Sequence, residues 1–418
     1  MLFKRTQYIE QLIRHKHNHQ IKVVTGIRRS GKSFLLFNLF VQHLQNDGVS
    51  DDHIIKIDLE DRRNISLRNP DSLLQHIDSL MKDDDMYYIL LDEIQLVNEF
   101  EDVLNSYLKI ANADVYVTGS NSKFLSSDVI TEFRGRGDEI HLFPLSLSEI
   151  MQVKSDLSWE QHWQLYMTYG GLPRVVLMDD EKEKSKYLKE LFRNTYIKDI
   201  KERYNIRNDV AMTRLLDIVS SSIGSLTNPQ KLENTFLSEA KISLTAQTIK
   251  QYLDYFEESF LIKRAERYDV KGKKYNSTPY KCYFTDMGLR NVRLNFRQIE
   301  ETHLMENVIY NELCLRGFNV DVGVVEVREP NENGNQIHKK LEVDFVVNQG
   351  SKRYYIQSAY ALPTIEKEEQ EMRPLKNIPD SFKKIVIVKD DILLRRNEDG
   401  IVTMGLHQFL TEQNSLDL

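Results

Sequence analysis

The sequence is poor in cysteine: Cys282 and Cys314 are its only two. They stand in no metal-type spacing, so both read as free thiols of a cytoplasmic protein. It also lacks any apolar run of about 18 residues, so no membrane-spanning helix is expected. The first residues, MLFKRTQYIEQLIRHKHNHQ, have neither the apolar stretch nor the small-residue cleavage site of a secretory signal. Positive charge is in deficit, with 56 Lys and Arg against 63 Asp and Glu and a net charge of −7. That balance argues against a constitutive nucleic-acid coat but leaves a local basic patch open. No internal repeat and no low-complexity linker are found. The 418 residues are too many for one small core and imply roughly two to four domains.

What is present is an alternation of apolar runs and helical patterns. IKVVT (21–25) is a short β-branched run ending at a glycine, and SFLLFNLFVQHLQ after Lys32 has helical apolar spacing. Further strands are expected at 54–59, 87–92, 113–118 and 139–143, with helices at 71–82 and 99–110. This order implies a parallel sheet with both faces covered. From about 148 to 265 the pattern is mostly helical, with helices at 159–169, 181–200 and 208–223. Strand-like segments return near 258. A helix at 300–318 then precedes strands at 320–328, 341–348, 352–359 and 383–390.

Residues Gly26–Ser33, GIRRSGKS, fit the phosphate-loop pattern G-x-x-x-x-G-K-[ST] between an expected strand and an expected helix. Glycines let backbone N–H groups approach phosphate oxygens, and the helix turns its positive end toward them. The expected nucleotide contacts are Gly26, Ile27, Arg28, Arg29, Ser30, Gly31, Lys32, Ser33 and Phe34. Lys32 reaches the β- and γ-phosphates and Ser33 ligates magnesium. YYILLDEIQ places Asp92 and Glu93 at the C-terminal end of an apolar strand, where such sheets bind ligands. Asp92 is expected to hold Mg2+, directly or through water, and Glu93 to deprotonate the attacking water. No [NT]KxD guanine-reading motif follows, so ATP is the expected nucleotide.

Residues 117–150, VTGSNSKFLSSDVITEFRGRGDEIHLFPLSLSEI, resemble the sensor and arginine-finger region of AAA ATPases, notably clamp-loader subunits. The resemblance implies that Asn121 or Ser120 is the first sensor. It also implies that Arg136, with Arg134 as runner-up, is an arginine finger acting on a neighbouring subunit, hence a homo-oligomer. YGGLPRVVL (169–177) resembles the lid segment that carries a second sensor, here Arg174. The order of these segments resembles a bacterial and archaeal ATPase group with an AAA core and a nuclease-like C-terminal domain of unknown function. The expected fold is α/β. A P-loop AAA core with a parallel sheet (1–147) and a helical lid (148–204) is followed by winged-helix (205–295) and restriction-endonuclease-like (296–418) domains.

Residues 241–290 resemble a helix-turn-helix with a wing. Ser243 is the expected N-cap, and the turn falls at Lys271–Lys274. Lys263, Arg264, Arg267, Lys271, Lys273, Lys274 and Lys281 are interleaved with Tyr268, Tyr275 and Tyr280. Such a wing grips the phosphates of double-stranded DNA, or it mediates protein contacts. The last domain resembles the PD-(D/E)xK nucleases, with Glu306 on the opening helix. Where active members carry Asp, Glu or Gln, and Lys, this chain has Asp344, Gln357 and Ala359. Alanine cannot activate water, so a fold retained for binding is expected rather than an ATP-dependent nuclease. Lys339, Lys340 and Lys352 are candidate substitutes that nothing in the sequence places. Trp159 and Trp163 read as a packing face. His15, His17 and His19 read as a solvated basic leader rather than metal ligands.

Overall fold

The computed structural model describes residues 3–120, 137–207, 209–240, 244–297, 299–330 and 336–418. Contacts divide the chain into two compact units. The first comprises Met1–Leu145, Leu172–Arg174 and Glu258–Leu261. The second comprises Ser146–Gly171, Val175–Glu257 and Ile262–Leu418. No helix among the described residues is long and apolar enough to cross a membrane.

In the first unit five strands form one parallel sheet: β1 (Ile21–Thr25), β2 (Ile54–Asp58), β3 (Tyr87–Asp92), β4 (Ala113–Thr118) and β5 (Gly137–His141). Their order is β2-β3-β4-β1-β5. Parallel neighbours need crossovers, and helices supply them. One helical run covers residues 32–46, and Pro70–Leu80 and Phe100–Tyr107 are the next two. Asn69 caps Pro70–Leu80 by accepting from the Ser72 N–H, with proline at the first helical position. Side chains of a strand alternate between faces. On β3 and β4, Ile89, Leu91, Val115 and Val117 pack with Leu73 and Ile77. On the other face Tyr88, Leu90 and Tyr116 pack with Leu35, Leu36 and Phe40. Two covered faces explain why β3 is buried along its whole length and reads as an unbroken apolar run.

β5 starts and stops two residues earlier than its apolar run suggests. Leu142 leaves the strand; its N–H donates to the Thr25 carbonyl at 2.9 Å, and its own carbonyl faces Gly26. His17 and His19 of the leader are exposed and His15 is half-buried, and two of the three have polar contacts. His15 contacts Asp138 at 2.8 Å, and a His17 ring nitrogen lies 2.8 Å from the Tyr88 hydroxyl.

The second unit opens with helices Leu147–Val153 and Trp159–Tyr169, each begun by a reciprocal capping box. Trp159 and Trp163 stack, and Trp159 also meets the His407 ring, as a packing face should. A helical run from 181 to 203 contains a π-type stretch at Phe192–Ile197. Helices Asp209–Ser221, Pro229–Thr235 and Ala246–Glu258 follow. The remaining strands are β6 (Ile262–Asp269), β7 (Lys274–Phe284), β8 (Asn319–Pro330), β9 (Gln336–Gln349), β10 (Lys352–Ala359), β11 (Lys383–Val388), β12 (Arg395–Arg396) and β13 (Val402–Gly405). They form one mixed sheet in the order β12-β13-β11-β10-β9-β8-β6-β7. The hairpin β6–β7 is therefore hydrogen-bonded into the same sheet as the later strands, with β6 parallel to β8.

Candidate active site

β1 ends at Thr25, and the chain turns through residues 26–31 before entering a helix at Lys32. Gly26 has φ +135°, and a Cβ there would run into the Leu142 carbonyl oxygen, so glycine is required. Gly31 has φ +101°, and Arg29 adopts φ +66° without being glycine. Holding a non-glycine residue there costs on the order of 1–3 kcal/mol, strain of a kind that collects at ligand sites. Among the described residues the buried Ser30 hydroxyl has no hydrogen-bond partner, a loss of about 1–3 kcal/mol that a bound phosphate oxygen would relieve. Ile27 is fully buried, Arg28 and Phe34 half-buried, and Arg29 and Ser33 exposed. The loop thus fits a polyphosphate.

The Lys32 ammonium folds back on its own loop. Nζ donates to the Gly26 carbonyl at 3.0 Å and the Ile27 carbonyl at 3.2 Å. Among the described residues no carboxylate lies within ion-pair distance of it. Burial pulls its pKa below the ordinary lysine value, with Glu93 and Asp92 opposing only in part.

The sheet order sets β4 between β1 and β3, and this brings three polar strand ends together. Asp92 is buried; it accepts from the Thr118 hydroxyl at 2.5 Å, and the Ser33 side chain beside it favours its charged form. Burial pushes its carboxyl above the ordinary value. Asp58, at the end of β2, pairs with Asp92 in register. Glu93 follows in a left-handed conformation, φ +53°, and its N–H donates to the Thr118 hydroxyl at 2.9 Å. One hydroxyl thus donates to Asp92 and accepts from Glu93, using both capacities. The Glu93 carboxylate accepts from the Ser120 hydroxyl at 3.2 Å and from the Gln95 side-chain amide. Arg28 Nε lies 3.5 Å from the Ser120 hydroxyl.

Lys32, Ser33, Asp92, Glu93 and Ser120 are therefore assembled at the C-terminal ends of the central strands, while Thr118 and Gln95 are additions that sequence reasoning did not single out. The only signal for Thr118 was its place at the end of an apolar strand next to the acidic one. Leu172–Arg174 belong to the same unit, and Pro173 packs near Gly31, its Cγ 3.8 Å from where a Cβ would lie. Arg174 is exposed one residue further on, in the helix Pro173–Leu177. Asn121, Arg134 and Arg136 lie outside the described residues, as does Ser243.

The second unit holds its own carboxylate centre. Lys281 of β7 is buried, and its Nζ lies 2.8 Å from Glu306, 2.6 Å from Glu342 and 3.4 Å from Asp344. Tyr283 donates to Glu306 at 2.5 Å, and the Ser358 N–H donates to Asp344 at 2.9 Å. Gln357 points its amide at Glu371, 3.3 Å away, and Ala359 is packed in the apolar core. Burial alone would lower the Lys281 pKa, but Glu306, Asp344 and Glu342 together raise it. Burial also raises Asp344 above the usual carboxylate range, with Lys281 opposing. Of the substitutes for the missing lysine, Lys340 pairs with Glu326 and Lys352 with Asp417, and Lys339 is exposed. The lysine that does reach the carboxylates comes from an earlier strand.

That placement removes Lys281 from the basic hairpin. Arg264 is also spent internally, on Asp254 and Glu257, and Tyr268 and Tyr280 are buried. Lys263, Lys271, Lys273, Lys274 and Tyr275 remain exposed.

A family model for an AAA domain matches residues 18–151, and a domain of unknown function (DUF8612) matches residues 160–300. An uncharacterized protein of Haemophilus influenzae is 32% identical over 391 residues, covering 92% of this chain and 93% of its own length. An uncharacterized protein of Methanocaldococcus jannaschii is 30% identical over 396 residues, covering 91% and 83% respectively. Among solved structures, Cdc6p from Pyrobaculum aerophilum matches with a TM-score of 0.31 at 12% identity, over 72% of this chain and 95% of that one. The Aeropyrum pernix Orc1 protein, solved in complex with DNA, matches with a TM-score of 0.29 at 11% identity, over 71% and 93%. The chain belongs to the family of the two uncharacterized relatives, AAA-superfamily P-loop proteins of bacteria and archaea with a C-terminal domain of unknown function.

Proposed function

We propose that the protein is a magnesium-dependent ATPase that works as a homo-oligomer and couples turnover to contact with nucleic acid. The observation that carries the ATPase reading is the buried Asp92 at the end of β3, held by the Thr118 hydroxyl, with the phosphate-loop Lys32 and Ser33 and the adjacent Glu93 beside it. Residues Gly26–Phe34 would receive the triphosphate, and the Lys32 ammonium would leave its two loop carbonyls for phosphate oxygens. Ser33 and Asp92 would hold Mg2+, which neutralises charge on the β- and γ-oxygens when bound. Glu93 would take the proton of the attacking water, its carboxylate aimed by Ser120 and Gln95 and its backbone pinned by Thr118. By resemblance, Asn121 or Ser120 is the first sensor and Arg174 the second. Arg136, or Arg134, is the finger offered to a neighbouring subunit.

Coupling to double-stranded DNA rests on the exposed Lys263, Lys271, Lys273 and Lys274 of the β6–β7 hairpin, which suit backbone phosphates without reading bases. A second reading is a nucleotide-gated switch that binds a protein partner. The internal use of Lys281 and Arg264, and the net charge of −7, favour it.

Steady-state ATP hydrolysis with and without duplex DNA, for the parent and for Glu93→Gln, separates these readings. Stimulation by DNA that vanishes in the variant supports the coupled ATPase. Glu93-dependent turnover indifferent to DNA moves the hairpin to a protein-contact role. Turnover that survives Glu93→Gln contradicts the assignment of the base.

A further inference from the structure

The nuclease-like resemblance of the last domain implies a divalent metal held by Asp344 and its neighbours. The residues present do not fit one. An ammonium has three N–H donors and no acceptor. Lys281 Nζ meets three carboxylates, those of Glu306, Glu342 and Asp344, at 2.6–3.4 Å. Nζ donates to Glu306 and Asp344 and is in ion-pair contact with Glu342, so the ammonium is committed to the carboxylates rather than to a water or a phosphate. The two positions that should complete a metal site are otherwise engaged: Gln357 donates its amide to Glu371 and accepts with its oxygen from the Asp344 backbone N–H, and Ala359 packs in the apolar core.

We infer that Lys281 is a built-in cation that takes the place of a divalent metal among Glu306, Glu342 and Asp344, closing this centre to metal and to phosphodiester cleavage. The surroundings are consistent with a permanently filled site. Glu306 is held from a second side by Tyr283, and Asp344 by the Ser358 backbone N–H. Gly224 leaves room beside Glu306 that a Cβ would crowd, at 3.1 Å from its carboxylate. One positive charge still faces three negative ones, and the raised Asp344 carboxyl relieves the imbalance by binding a proton more readily. Glu342, with its side chain 36% exposed, is the edge from which a cation would enter if the ammonium were removed.

The test is Mn2+ binding to the full chain, followed by electron paramagnetic resonance, in a Lys32→Ala/Asp92→Asn background that silences the P-loop. The chain with Lys281 intact should bind no Mn2+ at the cluster, and neither should Lys281→Arg, which keeps the charge. Lys281→Met should acquire a single Mn2+ site, or fold only when Mn2+ is supplied, and adding Asp344→Asn should remove that gain. A Mn2+ site in the Lys281-containing chain that Asp344→Asn abolishes overturns the inference. So does a Lys281→Met chain that Mn2+ neither binds nor refolds. Metal-dependent cutting of DNA by the parent, lost in Asp344→Asn, also overturns it.

Discussion

Lys32 and Lys281 are both buried ammonium groups in polar surroundings, and those surroundings drive them in opposite directions. Lys32 leans on two carbonyls of its own loop and has carboxylates nearby but none in ion-pair contact among the described residues, so burial lowers its pKa. Lys281 touches three carboxylates, which overcome the same burial and raise it. A buried ammonium with no carboxylate in contact is costly, and it suits an anion that arrives later. A buried charge enclosed by counter-charges is a finished structure. On the proposals made above, the contrast separates a loop that receives phosphate from a centre that Lys281 already fills.

The largest expected effect lies beside the first lysine. Glu93→Gln should lower ATP turnover by roughly 10²-fold or more, as loss of a general base does, while ATP binding persists. Turnover rates and nucleotide titration read the two separately. Next, Lys32→Met should weaken ATP binding by roughly 10- to 100-fold, the worth of charged hydrogen bonds to phosphate, yet leave urea stability unchanged or higher. Lys281→Met should do the reverse. It strands three carboxylates, two of them buried, and should cost about 3–5 kcal/mol in urea unfolding, part of it recovered with Mn2+. Equal stability losses in the two methionine variants would erase the comparison.

The smallest effect is on pH dependence. Burial raises Asp344 above its unfolded value, so the fold binds that proton more tightly than the unfolded chain does. Its contribution to stability is complete below the unfolded pKa of about 4 and is lost as pH rises through the raised folded value. Unfolding midpoints should therefore decline from about pH 5 to about pH 8, and Asp344→Asn should flatten the slope. Asp92, also raised by burial, adds a slope of the same sign.

Legibility in the sequence followed locality. β1 to β4 were readable because each is an apolar run with a marked end, and the phosphate loop because its residues are consecutive. Asp92 and Glu93 were readable because acids at the end of a buried strand are rare unless used. Thr118 was not, because its partner Asp92 lies 26 positions away and only the β3–β4 pairing joins them. β5 ends before Leu142, whose carbonyl faces Gly26, a contact with no local signature. Alternating residues in β6 and β7 suit a wing and a sheet edge equally, and only the pairing of β6 with β8 joins them to the later strands. The nuclease-like centre misled most. The nuclease pattern puts its lysine two residues after Gln357, but the one that reaches Asp344 lies 63 positions before it, on β7.

The most direct measurement is magnesium-dependent ATP turnover by the parent, Glu93→Gln and Asp344→Asn under one set of conditions. The account predicts that turnover collapses in Glu93→Gln and is unchanged in Asp344→Asn. Persistent turnover without Glu93, or a comparable loss without Asp344, would contradict the division of the molecule into one working centre and one closed one.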